Sequence, residues 1–253
     1  MLLLFAHGER PDVARVEQAL ENRPRIMVSH NPSGEKSSAC TPESDKGAAS
    51  EEAWLELLVD GPTFDCLGLA PGPGLTVEDP RHLYDLSGAS VPGEMEAIGL
   101  TPGPHLSGAG WSLPVVRTLA GLGAQLLEEF ESAVAAVWLP ASAASSRTFF
   151  IQAVGDWIAG GPFPALGLAG IREGPGGELA SDGLAQLLGG ELHLPGELFG
   201  TKAQGARLLM RLADRLVGYG PVAERQELQI GEQSLRIEAE HSNFGMKVNV
   251  QLA

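Results

Sequence analysis

Residues 54–70 read WLELLVDGPTFDCLGLA. Two short apolar runs, Trp54 to Val59 and Thr63 to Ala70, flank Asp60-Gly61-Pro62, a combination that marks a tight turn between strands. A connection this short joins only antiparallel neighbours, because parallel strands need a crossover of a dozen residues or more. The stretch therefore predicts a hairpin, and a chain that also contains helices then falls in the α+β class rather than in a regular βαβ array.

Working outward, the pattern repeats. Pro164 to Ile171 and Glu178 to Leu187 read as strands joined by Glu173-Gly174-Pro175-Gly176-Gly177. Met1 to Ala6 is an apolar run too short for a helix and reads as a buried strand, and Arg25 to Ser29 as a second. Between them Val13, Val16 and Leu20 recur at helical spacing, with Pro11 in the first turn and Pro24 past the end. A longer helix begins near Ser112 or Pro114, with Ser112 as its N-cap, and carries its apolar face to Phe130. Ala133 to Leu139 follows as a strand and Ser145 to Ala159 as a helix. Thr201 to Tyr219 is a helix with a capping pattern at Thr201 and Gln204 and a stripe through Leu209, Leu212, Ala213, Leu216 and Val217. Glu227 to Glu240 and Met246 to Leu252 read as closing strands.

Two stretches differ. Residues 31–50, NPSGEKSSACTPESDKGAAS, lack apolar periodicity and read as a flexible segment that cannot offset its ordering entropy. Residues 71–103 are rich in Pro and Gly and read as a long connection with one or two helical turns. The expected architecture is α+β with mixed and antiparallel sheets flanked by helices. It is arranged either as two α/β sandwich lobes, residues 1–100 and 101–253, or as one continuous domain.

Thirty-two acidic residues against 17 basic ones leave a formal net charge of −15. That surplus opposes nucleic acid and anionic membrane surfaces, both of which are bound through Lys and Arg. The opening MLLLFAHGE lacks the basic start and the apolar stretch of about 7–15 residues of an export signal. A cytoplasmic location is expected, with Cys40 and Cys66 as reduced thiols. Neither cysteine sits in a CxxC pattern, the six histidines show no i,i+4 or HxH spacing, and no metal or cofactor is expected.

Few residues suggest chemistry. His7-Gly8-Glu9 follows the first strand, where a histidine can serve as a base or ligand. The opening resembles metal chelatases of the sirohydrochlorin type and histidine phosphatases, which carry His-Gly after an apolar first strand. Here Glu9 precedes Arg10, a departure from the phosphatase pattern. Gly196 to Lys202 is one residue short of a phosphate-binding loop and ends Gly-Thr-Lys, so Thr201 reads as an N-cap. Ser112, followed by Leu113-Pro114, lacks the Gly-x-Ser-x-Gly elbow of a serine hydrolase. The residues retained as candidates are His7, Glu9 and His30, around a pocket shared with Ala70-Pro71-Gly72, together with Trp138 and Arg147 as partner anchors.

The stretches VVRTLAGLGAQLLEEF, AVAAVWLPASAASSRTFFIQ and PALGLAGIREGPGGELASDGLAQLLGGELHLPG, followed by the helix before Tyr219-Gly220-Pro221-Val222, resemble the bacterial domain-of-unknown-function family 4261. The resemblance covers mainly the C-terminal half. It implies an α+β fold and brings no activity or functional residue. The expectation for function is a non-enzymatic module that binds another protein, with its acidic surface steering it toward a basic partner in a salt-sensitive association. The alternative is a small-molecule binder or hydrolase-like enzyme with a pocket near the end of the first strand.

Overall fold

The computed structural model of the chain describes residues 1–32, 53–86, 95–106, 108, 112–220, 222, 225–231, 233–242 and 245–253. The expected flexible segment lies outside these from residue 33 onward, and so does Cys40.

The fold is α+β with two mixed sheets. Along the chain come β1 (Leu2–Phe5), α1 (Val13–Leu20), β2 (Ile26–His30), β3 (Ala53–Val59), β4 (Thr63–Leu69), β5 (His82–Tyr84), β6 (Glu96–Pro102), α2 (Leu113–Glu129), β7 (Ala133–Trp138) and β8 (Ala143–Ser146). Then follow α3 (Arg147–Ile158), β9 (Gly170–Glu173), β10 (Leu179–Asp182), β11 (Glu191–Leu194), α4 (Lys202–Val217), β12 (Gln226–Ile230), β13 (Gln233–Ser242) and β14 (Gly245–Leu252). The first sheet has the order β2-β3-β4-β6-β1-β7-β8-β5 and the second β12-β13-β14-β11-β10-β9. All pairings are antiparallel except β5 with β8 and β11 with β14.

The expected hairpin is β3–β4, and its alternating burial explains its alternating sequence: Leu55, Leu57 and Val59 face the core, as do Phe64 and Cys66 on the partner. The turn closes through Val59 N–H on the Pro62 carbonyl, 2.8 Å. The unbroken run of β1 has a different cause. It is the central strand, covered on both faces, with Leu3 and Phe5 in the main core and Leu2 and Leu4 in a second cluster with Ala135, Val137 and Ala144. Leu75 and Val77 cover that second face. The helices pack on the other side, α1 through Val16 and Leu20, α3 through Phe150, Val154 and Trp157, and α4 through Leu209, Leu212 and Leu216. Trp157 meets Phe163 edge-on at 5.5 Å.

Several expectations change. Residues 71–103 are no mere connection: β6 lies between β4 and β1, near the middle of the first sheet. Its Gly99 hides the strand in the sequence, yet a Cβ there would stand 2.4 Å from Leu75 Cδ1, so glycine is what lets Leu75 close over the sheet. Position 100/101 falls inside β6, and β1 from the first half is flanked by β6 and β7. Residues 164–169 form a helical turn instead of a strand, closed by Leu168 N–H on Pro164 O and Ala169 N–H on Ala165 O. The strand expected to reach Leu187 stops at Asp182. Gly183 adopts φ 91°, and the Glu191 carboxylate accepts the N–H groups of Gly183, Leu184 and Ala185, winding the chain into a second turn. The run from Glu227 to Glu240 is two strands, β12 and β13, rather than one. Pro11 precedes α1: Asp12 is the N-cap and accepts Arg15 N–H at 2.8 Å. Helix α3 starts only at Arg147, because Ser146 ends β8 and caps the helix through Phe149 N–H. Ser112 holds the N-cap position of α2 without a side-chain capping bond.

The two sheets meet at a polar seam. Asp182 on β10 accepts from Arg172 Nε and pairs with His82 Nε2 on β5, both at 3.0 Å, and the Tyr84 hydroxyl donates to the Ala169 carbonyl at 3.1 Å. The acid is held between two sheets, and burial together with its charge pushes the Tyr84 phenol above its ordinary range.

Candidate functional site: the arginine face of the C-terminal helix

The residues singled out by sequence do not converge. His7 stands past β1 with its side chain 89% exposed and Nδ1 2.9 Å from Glu96 Oε1. Glu9 is exposed beside it. His30 is at the far end of the sheet, on β2, its ring 5.4 Å from that of Trp54 and separated from β1 by β3, β4 and β6. Trp138 is buried within β7, so its indole offers no surface to a partner. Arg147 donates Nε to the Leu127 carbonyl at 2.7 Å and Nη2 to that of Glu128, satisfying the orphan carbonyls at the end of α2. It closes a helix rather than anchoring a partner.

The neighbourhood of His7 is instead a structural clamp. The Arg10 side chain is nearly buried; its Nε donates to Glu96 Oε2 at 2.8 Å, Nη1 to the Gly68 carbonyl and Nη2 to that of Gly72 at 2.8 Å. The guanidinium holds the Glu96 carboxyl below its usual range, helped by Gly8 N–H. Gly72, from the expected pocket, is thus tied to Arg10. None of the four cavities characterised in the fold is lined by His7, Glu9 or His30.

Two findings bear on nucleophiles and metal ligands among the described residues. Burial pushes the Cys66 thiol up to about 12, so it carries no thiolate at neutral pH. No group of three His, Cys, Asp or Glu residues there could hold a metal ion.

A different set of residues stands out once partners are traced. Arg10, Arg23, Arg25, Arg81, Arg172 and Arg236 each pair with a carboxylate, as does Lys202. Arg117 and Arg147 bind backbone carbonyls. Arg15 lies over the Phe130 ring and Arg215 over that of Tyr219, 5.1 Å from its centroid. Arg207 and Arg211, exposed on α4, have no hydrogen bond or ion pair among the described residues, and Arg225 ahead of β12 shares that state. The acid nearest along the helix, Asp214, lines the same cavity but makes no ion pair with either arginine; its Oδ1 accepts Phe163 N–H at 2.7 Å.

The helix places these charges. Thr201 caps it, accepting Gln204 N–H, and the buried leucines fix its rotation so that positions 207, 211 and 215 share the outer face, about 6 Å apart along the axis. Arg207 and Arg211 wall two cavities. One, about 440 Å³, is polar, with Gln204 and Gln233 beside Phe199 and Ile230. The other, about 340 Å³, is largely apolar, with Phe149, Phe163 and Met210, and Asp214 stands in its wall beside the two arginines. Like charges one turn apart destabilise a helix by a few tenths of a kcal/mol, so the arrangement is not a device for holding α4 together. Planar guanidinium groups of this kind take carboxylates through paired N–H donors. Reading the sequence for nucleophiles and ligands passed over these residues, although the spacing of Arg207, Arg211 and Arg215 is plain in ARLLMRLADRLV.

No helix among the described residues is long and apolar enough to cross a membrane. Comparison of the chain with family models, curated proteins and solved structures found no match.

Proposed function

We propose that the chain is a non-enzymatic protein-interaction module whose α4 face docks an acidic segment of a partner protein. The reading keeps the expected setting, a bacterial cytosol, and the resemblance to family 4261. One observation carries it: in a molecule with 32 acidic and 17 basic residues, Arg207 and Arg211 are exposed, adjacent on one helix face and in no ion pair among the described residues, Asp214 in the same cavity wall accepting the Phe163 amide instead. An external carboxylate would relieve their mutual repulsion. The apolar cavity beside them, with Phe149, Phe163 and Met210, suits a hydrophobic side chain next to that acid. Net charge alone steers toward a basic partner; the local field of α4 selects an acidic one, and the surrounding negative charge keeps polyanions at a distance.

The test is fluorescence anisotropy with two labelled synthetic peptides of equal length and apolar content, one carrying glutamates one helical turn apart and the other lysines. The expected result is binding of the glutamate peptide, weakened by salt and lost in the Arg207→Glu/Arg211→Glu variant. Equal binding of the lysine peptide, displacement by single-stranded RNA, or an unchanged affinity in the charge-reversed variant would overturn the proposal.

A further inference from the structure

The largest of the four cavities, about 550 Å³, lies away from α4, at the amino end of β1, opposite the His7 end. Its volume is in the range of small-molecule sites, which run to roughly 300–1,000 Å³. Six segments build it: β1, β4 with the following turn, β6, α2 and the turns after β7 and β10. The degree of burial sorts its wall into two zones. Met1, Leu2, Leu100 and Leu119, each no more than 6% exposed, form an aliphatic floor. Thr101, Gln186 and Leu139 are exposed and form the rim. Leu75 closes one side, seated over Gly99 and held by its own N–H on the Ala97 carbonyl at 2.9 Å. Leu75 is in turn carried by the chain that Arg10 clamps at Gly68 and Gly72.

We infer that this cavity binds an uncharged amphiphile, an unbranched aliphatic tail ending in a neutral hydrogen-bonding head. The tail follows from the floor, where aliphatic side chains offer contact area and no aromatic ring is present for stacking. The head follows from the rim, where a hydroxyl and an amide can each donate and accept. Its neutrality follows from the lining, which contains no Lys, Arg, His, Asp or Glu. The terminal amine of Met1 is buried, donates to the Leu100 carbonyl at 2.8 Å and is lowered by burial to about 5, so that it carries no charge at neutral pH. A net charge of −15 further disfavours a carboxylate or phosphate head.

The test uses the full chain and the fluorescent apolar probe N-phenyl-1-naphthylamine, displaced by 1-decanol, decanoate or decyl phosphate. Uptake of the probe, with decanol displacing it better than either anion, is expected. Two substitutions at exposed positions leave the fold intact, as circular dichroism will verify. Leu139→Glu, by placing a charge at the mouth, lowers decanol affinity about tenfold. Gln186→Arg supplies the missing cation and reverses the preference toward decanoate, a change that general loosening of the fold would not produce. Arg207→Glu, on α4, leaves all three affinities unchanged. Absence of probe uptake, tighter binding of decanoate than decanol to the unaltered chain, or an unchanged preference in Gln186→Arg would overturn the assignment. So would a dimer that forms in the unaltered chain, is dissociated by Leu139→Glu and excludes the probe, since a second copy would then be the occupant.

Discussion

Replacing Arg10 by Met tests the clamp that holds the chain beyond β4. The substitution keeps the length of the side chain and removes every donor. Three acceptors lose a partner: Glu96 Oε2 and the carbonyls of Gly68 and Gly72. Gly68 and Gly72 are buried, and a buried carbonyl left without a donor costs about 1–3 kcal/mol. Glu96 retains Gly8 N–H at 3.2 Å and is 21% exposed, so water can replace much of what it loses. The His7 contact is too exposed to weigh in the balance. The sum is roughly 3 kcal/mol, a large part of the stability of an ordinary domain. Urea unfolding followed by tryptophan fluorescence should therefore show a lower midpoint at neutral pH with little change in slope. Arg10→Lys should recover less than half, because one ammonium cannot reach three acceptors set around a planar fork.

Acidification separates the two components. Arg10 depresses the Glu96 carboxyl in the folded state, so its contribution is present above the unfolded value of about 4.3 and is lost as pH falls through the folded value. The gap between the unaltered chain and Arg10→Met should stay constant near neutrality and narrow below about pH 4, leaving the carbonyl share. Because the clamped segment leads to Leu75, the variant should also bind the naphthylamine probe less tightly. A neutral-pH difference below about 0.5 kcal/mol, or a gap that widens in acid, would refute this account of the clamp.

Cys66, buried with its thiol raised, should resist alkylation in the native chain and react on unfolding; peptide mapping that finds it labelled at equal rates in both states would contradict the fold of β4. Thr201→Ala should cost about 1 kcal/mol through the lost cap on α4, read from the thermal midpoint, and a neutral result would mean that the capping bond contributes nothing. Burial, and then the nearby Lys247, hold the His193 imidazole below its ordinary value. The unfolded chain therefore takes up the proton first as pH falls past about 6.5, and folding stability rises with pH from the folded value to that point. His193→Gln should flatten that slope, and an identical pH profile in the variant would assign the slope to other groups.

What the sequence discloses about the fold divides by the range of the interactions involved. The β3–β4 hairpin is readable because its turn, its alternation and its partner all lie within 17 residues. Helix α4 is readable for the same reason, its cap and its stripe being local. Strand β6 is not. Glu96 to Pro102 contains a glycine and ends in a proline, and its strand state depends on β1 and β4, some 90 and 30 positions away. The turns after Pro164 and Asp182 are lost for a related reason. Apolar residues there suggest strands, while the groups that wind the chain, Asp214 holding Phe163 and Glu191 holding Gly183 to Ala185, lie on other elements.

The candidate docking face shows where that boundary runs inside a single helix. Half of its character is local: three and four residues from Arg207 stand Ala203, Gln204, Met210 and Arg211, none of them a carboxylate. An i,i+4 reading of α4 thus predicts an unpaired arginine in a chain where acids are plentiful. The other half is tertiary. Arg211 has Asp214 three residues on, the spacing of an ordinary helix ion pair, and only the fold diverts that carboxylate to the amide of Phe163. Arg147 makes the converse point, since an arginine at a helix start looks available until the carbonyls of α2 are seen to occupy it. Whether an arginine is a fastener or a recognition element is decided by what the fold leaves within its reach. On α4 the fold leaves two guanidinium groups facing solvent beside an apolar cavity.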